Sequence, residues 1–343
     1  MGDFLLVEDF QPRSEVIAPE HPVVRARFPV VDAHNHLPMH HPRAHELDVA
    51  EMVRWMEFIN LRAIVNLSGG TGDQLKRNVE QLDLAYPGRF ATFCNVDWAG
   101  MGGPGWTERA VAALDADVQA GARGLKIFKD LGLHVRDRDD ALVMPDDPRL
   151  AALWARAGEL GVPVLIHTAD PVAFFRPLDR FNERRGGLIQ HPDWHFYGPN
   201  FPPFQELIAS LYRVVEAHPK TTFITAHVGC HPENLGFVSQ MLTRYPNLYT
   251  DISARIVELG RVPYTARKLF LEHPDRILFG TDVTPRMEWY QVYYRFLETD
   301  DQFFDPVPKG SATWCWWKIY GLYLPDDVLK RVYYDNAAAL LKL

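Results

Sequence analysis

The sequence has little of what marks a secreted, membrane-spanning or nucleic-acid-binding protein. Its three cysteines, Cys94, Cys230 and Cys315, are too few and too scattered for a disulfide framework, so we expect a reducing, cytoplasmic setting. The N-terminal stretch lacks the basic and apolar segments of a signal peptide, and no uncharged run is long enough to span a membrane. A net charge of −8 offers no basic surface to nucleic acid.

Apolar residues, in contrast, are abundant. Of the 343 residues, 47% are hydrophobic and 12% are aromatic, which is enough to bury a large core. The length suits a single α/β barrel domain covering residues 1–343, because such barrels often exceed the size of an ordinary domain. Residues 1–28 are polar and contain Pro12, Pro19 and Pro22, which predicts an irregular N-terminal arm.

Short apolar runs alternate with stretches of helical spacing along the rest of the chain. The predicted strands cover residues 29–33, 63–67, 90–96, 124–129, 162–167, 222–227, 248–253 and 276–282. The predicted helices cover residues 48–59, 73–86, 107–120, 147–160, 203–217, 232–245, 264–272 and 326–341. Strands that alternate with helices pair in parallel, and eight units close a barrel. We therefore expect an α/β fold, a (β/α)8 TIM barrel with an N-terminal arm and a long loop after the fifth strand.

Two histidines follow the first predicted strand with one residue between them, in the segment Val31-Asp32-Ala33-His34-Asn35-His36. Side chains two apart on a strand point to the same face, so both imidazoles converge on one point. Such a pair suits a borderline-soft divalent metal, although the alternative is two unrelated loop histidines. His40, His41 and His45 in the next segment could add ligands, but a loop flanked by prolines is more often solvated.

Three further polar residues end apolar strands: His167 the fifth, His227 the sixth and Asp282 the eighth. Active sites of α/β barrels lie at the carboxyl ends of the strands. A lone histidine at such a position is more often a structural residue with a hydrogen-bond partner. Four histidines and one aspartate at the same end of the barrel are better explained by a shared metal site.

The order His-x-His, His, His, Asp on an alternating chain resembles the amidohydrolase superfamily, and specifically its amidohydrolase-related branch, which includes the aminocarboxymuconate-semialdehyde decarboxylase-like enzymes. The resemblance extends from Val30 to the closing helix with Asp335-Asn336-Ala337-Ala338. It implies that one divalent metal is bound by His34, His36, His167 and Asp282. It also implies that His227 is a catalytic histidine or one that supports a ligand.

Zinc is the usual metal of this branch, and manganese also occurs. The ligand types alone, several imidazoles with one carboxylate, suit zinc and leave manganese, iron and cobalt open. A metal held by neutral imidazoles can lower the pKa of bound water to roughly 7.

Two reactions are compatible with this ligand set. In a hydrolase, activated water attacks a lactone, ester or amide, Asp282 passes the proton to the leaving group, and His227 stabilises the oxyanion. In a decarboxylase, the metal binds substrate oxygens while an acidic group protonates carbon. We take hydrolysis of a small carboxylate-bearing substrate as the leading hypothesis, with non-oxidative decarboxylation of a small aromatic or unsaturated acid as the alternative. A third alternative, a barrel that binds a ligand without turnover, is disfavoured by the complete ligand set.

Candidate substrate-binding residues lie near the same end of the barrel: Lys126, Asp170, Arg176, His195 and Arg255. Lys126 or its neighbour Lys129 could bind a substrate carboxylate, and Arg255 could do so with two parallel hydrogen bonds. The other three belong to the long loop after the fifth strand, where loops of barrels often shape the pocket. Surface ion pairs or bracing of the loop are the alternatives for each residue. Some relatives carboxylate a lysine of the fourth strand to bridge two metals, but the spacing assigns this role to neither lysine.

Cys230 follows His227 closely and is interpreted as a small buried thiol. A second aromatic stretch contains Phe303, Phe304, Trp314, Trp316 and Trp317 and is too apolar to remain in water. It either seals the barrel or forms a subunit interface. On the example of the relatives, we expect a homodimer that binds a small-molecule substrate.

Overall fold

The computed structural model describes residues 14–37, 48–311, 313 and 315–343. His40, His41, His45 and Trp314, which entered the sequence predictions, lie outside the described residues. Within the described part, no helix is both long enough and apolar enough to cross a membrane.

The described residues form eight parallel strands in the predicted order: β1 (Val30–Asn35), β2 (Leu61–Asn66), β3 (Phe90–Thr92), β4 (Leu125–Ile127), β5 (Val164–Ile166), β6 (Phe223–Thr225), β7 (Leu248–Asp251) and β8 (Ile277–Leu278). Strands β1 to β3 pair in sequence order, and so do strands β4 to β8. Strands β1 and β2 are one residue longer than predicted, and strands β3 to β8 are shorter than predicted.

Backbone hydrogen bonds join these two groups of strands into a closed barrel. Between β3 and β4, the amide of Cys94 donates to Gly124 O at 2.9 Å and the amide of Lys126 donates to Cys94 O at 2.8 Å. Between β8 and β1, the amide of Ala33 donates to Phe279 O at 2.9 Å. The prediction of a (β/α)8 barrel is therefore confirmed.

The helices surround the barrel: α1 (Val49–Phe58), α2 (Asp73–Asn78), α3 (Trp106–Gln119), α4 (Ala151–Leu160), α5 (Arg185–Gln190), α6 (Phe204–Ala217), α7 (Ala226–Gly229), α8 (Leu235–Arg244), α9 (Ile256–Leu259), α10 (Pro263–Glu272), α11 (Met287–Glu298), α12 (Asp326–Lys330) and α13 (Asn336–Leu341). A π-helical segment, Val79–Leu84, continues α2, and another, Arg331–Asp335, joins α12 to α13. The loop after β5 contains α5 and two short 3₁₀ helices, Val172–Phe175 and Pro192–Trp194.

The starts of α3 and α8 show how the observed helix bounds differ from the predicted ones. Helix α3 begins at Trp106, one residue earlier than predicted, and the Thr107 hydroxyl in its first turn donates to Arg149 O. Helix α8 begins at Leu235 and not at Pro232, because the side chain of Asn234 caps it by accepting from the Phe237 amide. The start of α8 is thus set by a side-chain hydrogen bond that helical periodicity does not report.

Alternate strand residues contribute to two hydrophobic clusters. Val30, Ile64 and Ile166 point outward and pack against the helices. Val31, Val65 and Leu165 point inward, together with Ala337 and Leu341 of the closing helix α13. Because side chains alternate along a strand, β4 directs Leu125 and Ile127 outward and Lys126 into the barrel.

The described part of the N-terminal arm runs along the outside of the barrel without helix or strand until Val30. The His21 amide donates to an Asp301 carboxylate oxygen at 2.7 Å, and Arg27 pairs with Asp326 at 2.5 Å. The Arg25 guanidinium donates to the carbonyl of Phe58 at 2.6 Å. These contacts agree with the predicted irregular arm for residues 14–28.

A buried carboxylate, Asp32, stabilises the closure between β1 and β8. Its oxygens accept from the His34 amide at 3.1 Å and from the Thr281 amide at 3.1 Å. They also accept from the Thr281 hydroxyl at 2.6 Å, the Tyr290 hydroxyl at 2.8 Å and the Asn35 side chain at 3.0 Å. Burial raises the pKa of Asp32 to about 6 despite these hydrogen bonds. One side chain thus aligns the first strand with the last.

Two tyrosines of α11 allow this network to be tested. Tyr290 and Tyr294 are both fully buried, but the Tyr294 hydroxyl has no hydrogen-bond partner in the part of the chain that the structure describes. We expect Tyr290→Phe to lower the free energy of unfolding by about 1.5–3 kcal/mol, because it removes a hydrogen bond to a buried carboxylate. We expect Tyr294→Phe to be neutral or stabilising. Urea denaturation followed by circular dichroism measures both, and equal losses in the two variants would contradict this role of Asp32.

Candidate metal centre

The side chains that end β1, β6 and β8 converge at the carboxyl end of the barrel. Donor atoms of His34, His227 and Asp282 all lie within 4.8 Å of one another. The two oxygens of the Asp282 carboxylate face different histidines. Oδ1 lies 3.5 Å from Nε2 of His36 and 4.0 Å from Nε2 of His34, whereas Oδ2 lies 3.7 Å from Nε2 of His227. Residues separated by almost 250 positions in the chain are therefore brought together by barrel closure.

His36 lies at the edge of this group. Its Nδ1 is 2.8 Å from the Ser68 hydroxyl, and its ring stacks on Phe128 with centroids 5.4 Å apart. These contacts fix the plane of the ring and leave Nε2 directed at Asp282. The predicted convergence of His34 and His36 on one point is thus seen, with ring centroids 5.6 Å apart.

His167 follows β5 and contacts His227 edge to face, with ring centroids 4.3 Å apart. Its Nε2 is buried and makes no hydrogen bond to the described residues, although Oδ1 of Asp170 lies 3.4 Å away. A buried nitrogen without a hydrogen bond is costly unless another partner is provided. A metal ion is one such partner.

The backbone is unusual at two of these residues. His227 has φ 59° and ψ 50°, and Asp282 has φ 53°, both in the left-handed region that non-glycine residues seldom adopt. Hydrogen bonds hold both conformations, since the Asp282 amide donates to His34 O at 2.8 Å and the His227 amide donates to the Asp251 carboxylate at 3.0 Å. Backbone strain of this kind clusters at functional sites.

Asp251, the last residue of β7, positions two of the histidines. Its Oδ2 lies 2.8 Å from Nδ1 of His34, and its Oδ1 accepts from the amides of His227 and Ser253 at 3.0 Å each. The Ser253 hydroxyl donates to Asp251 and lies 2.9 Å from Nδ1 of both histidines. Asp251 and Ser253 were not among the predicted site residues. The polar run Thr250-Asp251-Ile252-Ser253 at the end of a strand was the signal that could have indicated them.

These contacts determine which nitrogens face the site. Nδ1 of His227 lies 2.8 Å from Ser253 O, which can only accept, so Nδ1 carries the proton. The same argument applies to His34, whose Nδ1 faces the Asp251 carboxylate. In the neutral rings, Nε2 therefore presents a lone pair to Asp282, which is the arrangement that a metal-binding histidine needs.

Burial keeps the histidines neutral. It lowers the pKa of His34 and of His227 well below the ordinary value, that of His36 to about 3 and that of His167 to about 4. Burial also raises the pKa of Asp282 to about 7. Neutral imidazoles, one carboxylate and the buried Nε2 of His167, which makes no hydrogen bond to the described residues, fit a divalent metal.

A cavity of about 260 Å³ opens beside the centre. His167, His227 and Asp282 form one wall of it, and the aromatic side chains of Phe174, Trp194, Trp289 and Tyr293 form others. Within it, Asp170 pairs with Lys129 at 2.6 Å and lies 3.4 Å from Arg255. The Nε of Arg255 is buried and has no hydrogen bond to the described residues. Asp170 and Arg255, both predicted to bind substrate, therefore lie at the cavity.

The other predicted substrate residues lie elsewhere. Arg176 is exposed on the outside of the long loop, and Nε2 of His195 lies 2.9 Å from the Arg176 carbonyl. Neither lines the cavity beside Asp282, so His195 braces the loop, which was the structural alternative. Lys126 lies inside the barrel, with Nζ 3.4 Å from Nε2 of His34. Burial lowers the pKa of Lys126 to about 8.

The structure also bears on two minor predictions. The Cys230 thiol is buried and forms no disulfide, as interpreted from the sequence. In the second aromatic stretch, Pro306, Val307 and Thr313 line the cavity, and Trp317 donates to Val257 O at 2.9 Å. Part of this stretch therefore borders the cavity, but Trp316 remains 83% exposed, so the stretch as a whole is not withdrawn from water as predicted.

The role of Asp251 can be tested through metal binding. We expect Asp251→Asn to weaken Zn²⁺ affinity about 10–100-fold, because an amide cannot both accept from the His227 backbone and orient Nδ1–H of His34 as a carboxylate does. Competition with a chromophoric chelator, below the melting temperature of each variant, measures the affinity. Asp275→Asn at the exposed end of α10 is the control and should bind as wild type does. An unchanged affinity in Asp251→Asn would show that Asp251 does not position the ligands.

Comparisons with known proteins agree with the barrel fold. The chain is similar in structure to dihydroxybenzoic acid decarboxylase from Polaromonas sp. JS666 with bound manganese and the inhibitor 2-nitroresorcinol (TM-score 0.58, 15% identity, 92% of this chain and 97% of that chain). It is also similar to 2,6-dihydroxybenzoate decarboxylase from Rhizobium (TM-score 0.57, 16% identity, 92% and 99%). A third similar structure is a putative 2-pyrone-4,6-dicarboxylic acid hydrolase from Pseudomonas putida (TM-score 0.52, 13% identity, 92% and 98%).

At these identities, the structural likeness establishes the barrel fold alone. No curated protein matches the chain in sequence. The sequence profile described as Amidohydrolase, however, matches residues 31–343, which is most of the chain. The protein therefore belongs to the amidohydrolase family.

Proposed function

We propose that the protein is a metal-dependent hydrolase that cleaves a lactone, ester or amide of a small carboxylate-bearing substrate. Membership of the amidohydrolase family supports a metal-dependent enzyme. The observation that supports this specific reaction is that the two oxygens of the Asp282 carboxylate face different histidines. One carboxylate oxygen faces the pair His34 and His36, and the other faces His227.

The metal in this proposal is a single divalent ion, most favourably Zn²⁺, with Mn²⁺ as the alternative. His34, His36, His167 and Asp282 would hold it, since they offer neutral imidazoles and one carboxylate. Asp251 orients His34, and Ser68 orients His36. When bound, such an ion supplies Lewis acidity and lowers the pKa of a water molecule.

Asp282 is suited to move a proton between water and the leaving group. One of its carboxylate oxygens faces the paired histidines of β1 and the other faces His227, so the carboxylate lies between the metal ligands and a second proton carrier. Nε2 of His227 lies 3.7 Å from Oδ2 of Asp282 and carries the lone pair in the neutral ring. His227 can therefore take the proton from Asp282 and donate it to a developing oxyanion or leaving group.

The cavity suggests how a substrate would be held. Its volume of about 260 Å³ suits a molecule with one ring. Phe174, Trp194 and Trp289 supply flat apolar walls, and Arg255 supplies a buried guanidinium whose Nε is not used by the described residues. A substrate carboxylate that binds Arg255 would orient the scissile bond towards Asp282.

The aromatic lining of the cavity also favours a second candidate, non-oxidative decarboxylation of a small aromatic acid. Two of the similar structures are dihydroxybenzoate decarboxylases. In that reaction Asp282 or His227 would protonate the ring carbon as carbon dioxide leaves, so the same cavity and the same proton-carrying pair would serve.

Product analysis distinguishes the two reactions. We expect the Zn²⁺-loaded protein to release one equivalent of acid per molecule from members of a panel of aryl lactones and esters in a pH-stat. We also expect no carbon dioxide from a panel of hydroxybenzoates. His227→Asn should lower kcat about 10²–10⁴-fold with unchanged metal content. Carbon dioxide release without acid release from the ester panel would replace the hydrolase with the decarboxylase.

The cavity arginine gives an independent test of substrate binding. We expect Arg255→Met to lower kcat/KM about 10–100-fold for substrates with a carboxylate, because a charge-assisted hydrogen bond is lost. The neutral amide analogue of the same substrate should be little affected. Arg176→Met, on the outside of the loop, is the matched control and should behave as wild type. Equal losses for the charged and neutral substrates would contradict carboxylate recognition by Arg255.

A further inference from the structure

Lys126 is a buried cation at the metal centre. Strand β4 directs its side chain into the barrel, where it is 1% exposed. Nζ lies 3.4 Å from Nε2 of His34, on the nitrogen that carries the lone pair. Lys126 does not line the cavity that contains Lys129 and Arg255, so its position does not match that of an anchor for a substrate carboxylate.

The two lysines of this segment differ in how their charge is balanced. Lys129 forms an ion pair with Asp170 at 2.6 Å. No ion pair within 4.0 Å joins Lys126 to an acidic residue of the described ranges, although the charges of Asp282 and Asp251 attract it. A buried ammonium without a paired carboxylate is expensive to keep, so its retention calls for an explanation.

The position of Nζ conflicts with a metal ion of high affinity. A zinc ion would lie roughly 2 Å from Nε2 of His34, and Nζ approaches the same nitrogen. Two cations near one atom repel each other strongly in a site that excludes water. Lys126 must therefore weaken the binding of any ion that His34 holds, and must oppose a second ion even more.

We propose that Lys126 acts as the second cation of this centre, lowering its affinity for the metal and restricting it to one divalent ion. The inference rests on the proposed function, because it assigns a role to Lys126 towards the metal of that site. Five potential ligands, four histidines and Asp282, would otherwise be enough for two ions that share the carboxylate.

The charges around the histidines agree with this limit. Three carboxylates, Asp170, Asp251 and Asp282, contact the imidazoles. Asp170 is already paired with Lys129, which leaves Asp251 and Asp282 to balance Lys126 and one metal ion. The centre then keeps a positive charge that attracts an anionic substrate. A second ion would add two more positive charges to this buried group.

Metal binding tests the inference without any substrate. The purified full-length protein and its variants are stripped of metal and titrated with Zn²⁺ against a chromophoric chelator. We expect the wild type to bind one ion per chain. Lys126→Met, which keeps the length and removes the charge, should bind the ion at least about tenfold more tightly, because the repulsion is lost.

Two further variants complete the design. Lys126→Gln, which also removes the charge, is expected to show the same gain and replaces the methionine variant if that one does not fold. Lys129→Met, whose charge is already paired with Asp170, is the matched control, and its affinity should change less than about threefold.

Two results would overturn the inference. The first is a wild-type protein that binds two ions per chain. The second is an unchanged or weaker affinity in Lys126→Met and Lys126→Gln, which would mean that Nζ supports the metal instead of opposing it. Failure of the proposed function is recognised separately. If the wild type binds one ion and the Lys126 variants bind it more tightly, but neither substrate panel is turned over, this inference stands and the hydrolase is refuted.

Discussion

The metal centre depends on the closure of the barrel between its first and last strands. The carboxylate of Asp32 accepts from the backbone of His34 on β1 and of Thr281 beyond β8. The residue after Thr281 is Asp282, whose amide donates back to the His34 carbonyl. A single buried side chain thus sets the register in which the paired histidines meet Asp282. Loss of this register would separate the ligands even if every strand still formed.

Hydrogen bonds from neighbouring residues fix which nitrogen of each histidine carries the proton. Asp251 and Ser253, at the end of β7, occupy the Nδ1 atoms of His34 and His227. As a result, both Nε2 atoms present lone pairs to Asp282. The Asp282 carboxylate therefore lies between the paired histidines of β1 and His227, an arrangement that both proposed reactions could use to move a proton.

The sequence was informative wherever a short-range period or a fixed position in the barrel decides the outcome. Alternation of apolar runs indicated all eight strands, and the rule that barrel sites lie at the carboxyl ends of strands singled out His34, His36, His167, His227 and Asp282. It was uninformative where long-range hydrogen bonds decide. Asp32 and Asp251 look like ordinary aspartates in the sequence, because their partners lie far away along the chain. Asp32 pairs with Thr281 and Asp251 pairs with His34, and each pair is separated by more than 200 residues.

Loop residues show the same limit. Arg176 and His195 belong to a segment without a period, so their spacing does not tell which side of the loop faces the cavity, and the structure places them outside. Lys126 is an intermediate case. The sequence places it in the middle of β4, but only the structure shows that its side chain points inward and ends beside His34.

The central claim is that one divalent ion is held at the carboxyl end of the barrel by residues from β1, β5 and β8. A crystal of the Zn²⁺-loaded protein, measured on both sides of the zinc absorption edge, tests it most directly. We expect one strong anomalous peak per chain within bonding distance of His34, His36, His167 and Asp282. No peak at that position, or a peak only at the surface group of His21, Asp300 and Asp301, would contradict it.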